Sequence, residues 1–109
     1  MIDYDKYILE KFEKETINTR DGFAIFKIAG EECYLEVVWV KPEARRLGAG
    51  SHIADEVTKI AKERGCKHIT TSVNIYANNS ADSLKAVLAY GFKPLKTVSD
   101  GLILDKGIE

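Results

Sequence analysis

The sequence predicts one α/β (α+β) domain in which a mixed, mostly antiparallel sheet is flanked by helices. A chain of 109 residues is long enough for one compact domain and too short for two. With 45% hydrophobic and 30% charged residues, the composition is that of a folded protein. Strand-like and helix-like apolar spacings follow one another along residues 1–109, in the order α-β-β-β-α-β-α-β-β.

The first half of the chain predicts a helix followed by three antiparallel strands in a meander. Apolar residues recur at helical spacing within residues 3–15, and Asp3 is available as the N-cap. Asp21 and Gly22 form a favoured two-residue hairpin turn, and residues 29–32 form a second turn. The strands predicted around these turns are residues 16–19, 23–28 and 33–40.

The second half of the chain predicts two helices that each end at a glycine. The main helix covers residues 48–64 and stops at Gly65. Another helix is capped around Asn78, Asn79 or Ser80 and stops at Gly91. The remaining predicted strands are residues 67–75, 92–98 and 102–105. Because a helix connects the strand ending at Val40 to residues 67–75, these two strands are expected to be parallel neighbours.

Composition excludes several classes of protein. Sixteen Lys and Arg against 17 Asp and Glu give a net charge of -1, so no positive field favours nucleic acid as a partner. No apolar run approaches the roughly 20 residues needed to cross a bilayer, and the first residues lack a signal-peptide pattern. No membrane association and a cytoplasmic location are therefore expected. Cys33 and Cys66 lack the spacing of a metal site and are expected to be small buried residues, with no metal.

The stretch over residues 38–51 carries the predicted chemistry, because it runs from a strand through a basic, glycine-containing loop into a helix. Gly48 and Gly50 allow close approach of a ligand to the backbone. The first helical amides lack internal partners, and the helix dipole adds positive potential there. Arg45 and Arg46 add fixed charge, so a pyrophosphate is the best-matched anion. Alternatively, the glycines form only a tight corner and the arginines are solvated.

One family signature resembles this stretch closely. The run Val40-Lys41-Pro42-Glu43-Ala44-Arg45-Arg46-Leu47-Gly48-Ala49-Gly50 resembles the coenzyme A signature of the GNAT superfamily of N-acetyltransferases. The resemblance continues through the Ala-Lys-x-x-Gly-Cys ending of the main helix at Cys66. It extends to Asn79 and the helix that ends in Gly91-Phe92, and residues 21–105 follow the family's order of elements.

The resemblance implies an acetyl-CoA-dependent N-acetyltransferase whose acceptor is an amine of a small molecule or a protein. In the family, loop amides hold the pyrophosphate of the cofactor, a splayed strand pairs with its pantetheine arm, and the amine attacks the thioester directly. The residues implied in cofactor contact are Val38, Trp39, Val40, Arg45, Arg46, Leu47, Gly48, Ala49, Gly50, Ser51 and Asn79. Asn74 and Asn78 are the alternatives to Asn79.

Two residues are candidates for catalytic roles. Glu36 has the strand parity from which family members often present a glutamate base, and alternation places it on one face with Tyr34, Val38 and Val40. Glu36 is otherwise a solvated or lysine-paired carboxylate, with water as the base. The tyrosine that many members use as thiolate acid is replaced here by Val87. Tyr90 is the substitute candidate, and its alternative role is packing at the helix end.

The chain also departs from the family pattern at its start, because family members carry a strand and a helix before the segment equivalent to Asp3. This predicts an acceptor cleft that is either open or completed by a second copy of the chain in a homodimer. Together with the missing tyrosine, it leaves a second hypothesis, a catalytically degenerate acyl-CoA-binding module that acts through protein contacts. A nucleotide-binding protein is a third, disfavoured because the lysine of triphosphate-binding loops is missing.

Overall fold

A computed structural model describes residues 13–45, 47–74, 76 and 80–108 of the chain, and six strands within them form one sheet. The strands are β1 (Glu15–Asn18), β2 (Gly22–Ala29), β3 (Glu32–Val40), β4 (His68–Asn74), β5 (Lys93–Val98) and β6 (Gly101–Gly107). The helices are α1 (Ala49–Glu63) and α2 (Ser80–Tyr90), and a short 3₁₀ helix covers Pro42–Ala44. Neither α-helix is long and apolar enough to span a membrane.

The sheet has the order β1-β2-β3-β4-β6-β5. The pairing of β3 with β4, on either side of the α1 crossover, is parallel, and the other four pairings are antiparallel. This confirms the predicted mixed sheet, the meander and the parallel neighbour. The helix predicted over residues 3–15 lies outside the described residues except at its end. There the prediction is wrong, because Glu15 is the first residue of β1.

Both helices pack on one continuous core. Helix α1 buries an apolar stripe consisting of Ile53, Ala54, Val57 and Ala61, which repeats at three and four residues as a core-facing helix requires. The largest fully buried side chains of the sheet are Phe26, Ile69 and Leu104. Leu84 and Val87 of α2 pack against this same cluster. The two helices therefore cover one face of the sheet, which we call the helix face.

Each helix ends at the glycine that the sequence indicated. Gly65 follows α1 with a φ of +82°, its N–H donates to the Lys62 carbonyl at 3.1 Å, and the Cys66 N–H donates to the Ala61 carbonyl at 2.9 Å. This pair of bonds is the Schellman arrangement, which needs the left-handed conformation that glycine adopts most easily. Gly91 ends α2 with a φ of +113°. The chain can therefore reverse sharply into β4 and β5.

The predicted two-residue turn at Asp21 and Gly22 is wrong. Asn18 pairs with Phe23, and the Thr19 hydroxyl organises the intervening loop by accepting from the Asp21 N–H at 3.3 Å and donating to the Gly22 carbonyl at 3.1 Å. Gly22 belongs to β2. A Cβ there would lie 1.9 Å from the carbonyl oxygen of Trp39, so the glycine is required by close packing of β2 on β3.

We predict that Gly22→Ala lowers the free energy of unfolding by about 2 kcal/mol or more, because the new methyl group meets strand backbone that cannot move aside cheaply. Gly107→Ala is the matched control, since a Cβ at this other strand glycine meets no atom within 4 Å. It should change stability by less than about 0.5 kcal/mol. Urea denaturation of both variants measures the difference. Equal stabilities would refute the close approach of β2 and β3.

Candidate functional site

Strands β3 and β4 separate partway along their length. Their register pairs run from Glu32 opposite His68 to Leu35 opposite Thr71. Beyond that point, residues 37–40 of β3 pair with β2, and residues 72–74 of β4 pair with β6. Within these fully described strands, the two inner edges therefore face each other without pairing. We call this opening the cleft.

A buried hydrogen bond closes the base of the cleft. The Thr71 hydroxyl donates to the Leu35 carbonyl at 2.8 Å, at the last residue pair of the parallel ladder. Thr71 and Leu35 are both buried. A buried carbonyl without a partner would cost free energy, so the threonine side chain stabilises the point where the strands part.

The bulge in β3 coincides with the start of the cleft. Ile25 of β2 lies opposite Val37 and Phe26 lies opposite Leu35, so Glu36 is an extra residue in β3. An extra residue bends the strand, increases its local twist and shifts the alternation of side chains. The bulge therefore turns β3 away from the straight course that would have continued its pairing with β4.

The bulge also corrects the predicted alternation of β3. Directly opposed residues share a face, and Val38 lies opposite the fully buried Ala24. Val40 packs against the core. Both valines therefore lie on the helix face, whereas Tyr34, opposite Lys27, lies on the other face. The prediction that Glu36 shares one face with Tyr34, Val38 and Val40 is wrong, because the bulge at Glu36 puts Tyr34 and the two valines on opposite faces. A bulge cannot be seen in the alternation of one strand.

The opposite face of the sheet, which we call the open face, carries aromatic and polar side chains beside the cleft. Phe23 and Trp39 are opposed across β2 and β3 and stack with ring centroids 5.7 Å apart. Trp39 is 42% exposed and Val37 is 36% exposed. At the base of the cleft, the hydroxyls of Tyr34 and Ser72 lie 2.9 Å apart and form a hydrogen bond between β3 and β4.

The loop between β3 and α1 brings a helix N-terminus to the end of β3. Pro42 starts the 3₁₀ turn, and the Arg45 Nε–H donates to the Val40 carbonyl at 2.9 Å, which ties the loop to the strand. Gly48 is the N-cap of α1, with a φ of +87°. This left-handed conformation suits glycine. A Cβ at Gly50 would lie 3.7 Å from Val40 Cγ2, which is ordinary contact.

The first amides of α1 are suited to an anion. In an α-helix these N–H groups have no acceptor inside the helix, and Gly48 makes no side-chain cap bond to them. The first turn contains no acidic residue, so nothing in it neutralises the positive end of the helix dipole. Such a terminus can hold a phosphate group. The arrangement provides positive potential at the end of the strand that borders the cleft.

The structure brings most of the predicted cofactor residues together around this corner. Val38 and Val40 border the cleft on the helix face, and Trp39 borders it on the open face. The loop and first turn contribute Arg45, Leu47, Gly48, Ala49, Gly50 and Ser51, of which Ala49 and Gly50 are half-buried and the others are exposed. Arg46, Asn78 and Asn79 lie outside the described residues. Asn74 lies at the end of β4, where its Oδ1 accepts from the Tyr76 N–H at 2.8 Å.

Glu36 sits at the bulge, beside the base of the cleft. Its side chain is about one-third exposed, and the distance from its Oε2 to the Lys14 Nζ is 2.6 Å. The structure therefore places the predicted base at the divergence of the strands and gives it a lysine partner. The lysine-paired carboxylate was the alternative that the sequence left open.

Tyr90 lies apart from Glu36. Its hydroxyl donates to Asp55 Oδ1 of α1 at 2.6 Å and lies 3.3 Å from the Thr58 hydroxyl. Desolvation by burial, followed by the bond to Asp55, raises the pKa of Tyr90. Its ring lies under the Lys106 Nζ, 5.4 Å from the ring centroid. Lys106 of β6 lies opposite Ile69 of β4, two residues before Thr71, the last residue of β4 that pairs with β3. The contacts of Tyr90 therefore link α1, α2 and β6 below the base of the cleft.

The other titratable candidates are engaged elsewhere. His68 Nδ1 lies 2.7 Å from Asp105 Oδ1, and this hydrogen bond raises the pKa of His68. Burial raises the pKa of Cys33 to about 12 and also raises the pKa of Cys66, so neither thiol is a ready nucleophile. Within the described part of the chain, no group of three or more His, Cys, Asp or Glu side chains is placed to hold a metal ion.

Two surface cavities lie outside the cleft. One, of about 510 Å³, adjoins the outer side of the loop, where Arg20, Lys41 and His52 meet Gly48 and Ala49. Lys41 pairs there with Asp21 at 3.5 Å, so the cavity is lined by both signs of charge. The other, of about 430 Å³, lies between the end of α2 and strands β5 and β6.

Sequence reasoning missed the long-range contacts that close the base of the cleft and join the helices below it. The bond from Thr71 to Leu35, the contact of Tyr34 with Ser72 and the link from Tyr90 to Asp55 each join segments far apart in the chain. Their side chains are ordinary strand and helix residues, so no local pattern marks them. The first two contacts depend on the register of β3 and β4, and the third depends on the packing of α2 against α1.

Comparisons with known proteins agree with this geometry. A family model described as the acetyltransferase (GNAT) family matches residues 8–88. Thialysine N-epsilon-acetyltransferase of Bos taurus is 36% identical over 58 residues, which cover 53% of this chain and 34% of that protein. The chain thus matches about a third of the length of this relative.

Solved structures share the fold. The chain resembles the PaiA N-acetyltransferase from Thermoplasma acidophilum in complex with coenzyme A, with a TM-score of 0.73 and 24% identity, over 80% of this chain and 53% of that chain. It resembles a GNAT-family protein from Desulfovibrio desulfuricans with a TM-score of 0.81 and 13% identity. That likeness covers 95% of this chain and 76% of the other.

We predict that Thr71→Val lowers the free energy of unfolding by about 1 to 3 kcal/mol, because the buried Leu35 carbonyl at the base of the cleft loses its donor. Thr97→Val makes the same chemical change at an exposed strand position of β5 and is the control. It should change stability by less than about 0.5 kcal/mol. Thermal or urea unfolding would contradict this role for Thr71 if the two variants lost the same stability.

Proposed function

The chain belongs to the acetyltransferase (GNAT) family, whose members are N-acetyltransferases that use acetyl-CoA, and we propose that it transfers the acetyl group of acetyl-CoA to a primary amine. One observation carries this proposal. The cleft between β3 and β4 has unpaired inner edges. The N-terminus of α1 lies near the end of β3, at the end of the cleft that is away from its base. A thin ligand with amide groups at one end and phosphates at the other matches this arrangement.

The phosphate end of the ligand belongs at the first turn of α1. Backbone amides of residues 47–51 and the helix dipole offer donors and positive potential for a pyrophosphate. The amide of Arg46 is proposed to join them from the family resemblance. Gly50 carries no side chain, and even a Cβ there would contact only Val40 Cγ2, at 3.7 Å, so the backbone of the first turn is accessible. Arg45 holds the loop against Val40 through Nε, and its exposed terminal N–H groups add positive charge nearby.

The pantetheine arm belongs between the strands. The arm contains amide groups, and the inner edge of β3 over residues 38–40 offers backbone N–H and C=O groups that β4 does not pair. A chain inserted there acts as an additional strand, which is how extended ligands commonly bind to open sheet edges. Asn79 is proposed to contact the arm from the start of α2. The thioester then lies near the bulge at Glu36.

Acetyl-CoA supplies the acetyl group as a thioester. The neutral amine attacks the carbonyl carbon, so a C–N bond forms while the C–S bond breaks and the electron pair leaves on sulfur. The amine nitrogen loses one proton, and the thiolate takes up one. We propose that Glu36 accepts the amine proton, directly or through water, because its carboxylate lies at the bulge.

Tyr90 is the candidate side chain for protonating the departing thiolate. Its hydroxyl already donates to Asp55, and its contacts lie below the base of the cleft. The position equivalent to the family's tyrosine is Val87, which packs against the core. These contacts favour a role for Tyr90 in holding α2 against α1. Water would then protonate the departing thiolate.

The acceptor amine belongs to a small molecule or to a protein. The relative from Bos taurus is named for thialysine, an amino acid with a side-chain amine, so thialysine is the first acceptor to test on this chain. A second copy of the chain would complete the acceptor cleft if the protein forms a homodimer.

A second candidate function has an observation in its favour. Glu36 is paired with Lys14 and Tyr90 with Asp55, so both predicted catalytic side chains have other partners. This suits an acyl-CoA-binding module that acts through protein contacts. Turnover separates the two functions: the protein is incubated with acetyl-CoA, thialysine and a panel of amines, and free thiol and acetylated amine are quantified. Cofactor binding without any product would support the binding module.

We predict that Gly50→Val weakens coenzyme A binding about tenfold or more, because the branched side chain stands between the first-turn amides and the pyrophosphate. Gly50→Ala is the matched control. Its methyl group would meet only Val40 in ordinary contact, so affinity should change by less than about threefold, with a gain in helix stability of up to about 1 kcal/mol. Isothermal titration calorimetry measures both affinities. Wild-type affinity in a folded Gly50→Val protein would place the phosphates elsewhere.

We predict that Glu36→Gln leaves coenzyme A affinity intact but lowers kcat by about 100-fold at neutral pH, since a general base typically contributes that much. The loss should shrink as pH rises, because more of the acceptor is then already neutral. Glu63→Gln is the control, because it makes the same change from carboxylate to carboxamide at an exposed residue at the end of α1. Rate profiles over pH test this, and an unchanged kcat for Glu36→Gln would assign proton removal to water.

A further inference from the structure

The stacked pair Phe23 and Trp39 lies on the open face, beside the cleft and above the bulge. We propose that this pair is the acceptor platform, which binds the apolar stem of an unbranched primary alkylamine while the amine itself reaches the bulge. The inference rests on the proposed function, because it concerns the second substrate of the same site.

The two faces of the sheet divide the cleft between the two substrates. Val40 lies on the helix face in contact range of Gly50, so the N-terminus of α1 and any phosphates it holds are on that face. The cofactor must then enter the cleft from the helix face. The acceptor needs a separate approach to the thioester, and the open face provides it. Trp39 is on the open face because it opposes Phe23, one residue out of phase with Val38 and Val40.

Along this approach, the side chains change from charged at the bulge to apolar further along β3. An alkylamine has the same order of groups, with a charged nitrogen followed by an apolar stem. The carboxylate of Glu36 lies at the bulge, where it is paired with Lys14, and an arriving ammonium group would compete with Lys14 for it. Val37 and Trp39 follow, each more than one-third exposed, and the Trp39 ring is backed by Phe23. Exposed aromatic surface of this kind binds methylene groups by removing them from water.

Strand geometry sets the length of the acceptor. Trp39 is three positions beyond Glu36, which corresponds to roughly 10 Å along a strand. An amine located at the bulge can therefore contact the platform only through a stem of several methylene groups. Short amines end before they reach the rings. The platform thus favours primary amines in which several methylene groups separate the nitrogen from the next polar group.

The test is a homologous series of straight-chain primary amines, from propylamine to octylamine, acetylated by the full chain. We expect kcat/KM to rise roughly two- to fourfold per methylene as the stem covers the rings, in keeping with the transfer of CH₂ groups out of water. Trp39→Ala should flatten this rise, and Trp39→Phe should retain most of it. Leu95→Ala is the control, because Leu95 is 61% exposed but lies on β5 at the edge of the sheet.

Calorimetry with coenzyme A on each variant separates the possible failures. A flat series in the wild type, or an equal rise in Trp39→Ala, would overturn the platform while leaving the proposed function intact. Binding of coenzyme A without acetylation of any amine in the series would also overturn it. If coenzyme A did not bind at all, the proposed function would fail first. Quenching of the chain's single tryptophan by octylamine, measured with coenzyme A present, is expected if the stem covers Trp39.

Discussion

The early end of the β3–β4 pairing is the constraint on which the rest of the site depends. Two parallel strands in mid-sheet would ordinarily satisfy each other's backbone along their full length. Here the bulge at Glu36 turns β3 away, and the Thr71 hydroxyl satisfies the last buried carbonyl, at Leu35. The outer pairings of β3 with β2 and of β4 with β6 hold the parted strands in place. The gap is therefore part of the folded structure.

The same bulge distributes side chains between the two faces. Without the extra residue, Val38 and Val40 would point with Tyr34 away from the helices. With it, Val40 packs beside the first turn of α1, and Trp39 stands on the open face. The bulge in β3 therefore brings the N-terminus of α1 to the helix face of the cleft. It also leaves the aromatic surface of Trp39 on the open face. In the proposed function, this arrangement lets the two substrates meet in the cleft without competing for the same surface.

Much of this structure could be predicted from local sequence, and the unpredicted part depends on long-range register. Gly65 and Gly91 marked both helix ends because left-handed conformations favour glycine, and the order of the strands followed from apolar spacing. Anion binding by the loop around Gly48 was inferred in the same way and stays a prediction. The turn predicted at Gly22 was wrong, because this glycine allows β2 to pack closely against Trp39. The bulge left no signal in the sequence of β3, because an extra residue is defined only by comparison with the paired strand β2.

Amide hydrogen exchange measured residue by residue, with and without coenzyme A, tests most directly the claim that the cofactor completes the sheet in the cleft. Exchange reports which backbone groups gain partners. We expect coenzyme A to slow exchange at amides within residues 38–40 and 49–51 and to leave β5 (Lys93–Val98) unchanged. Slowed exchange confined to the cavity beside Gly91 and Lys93, or no change along β3, would contradict it.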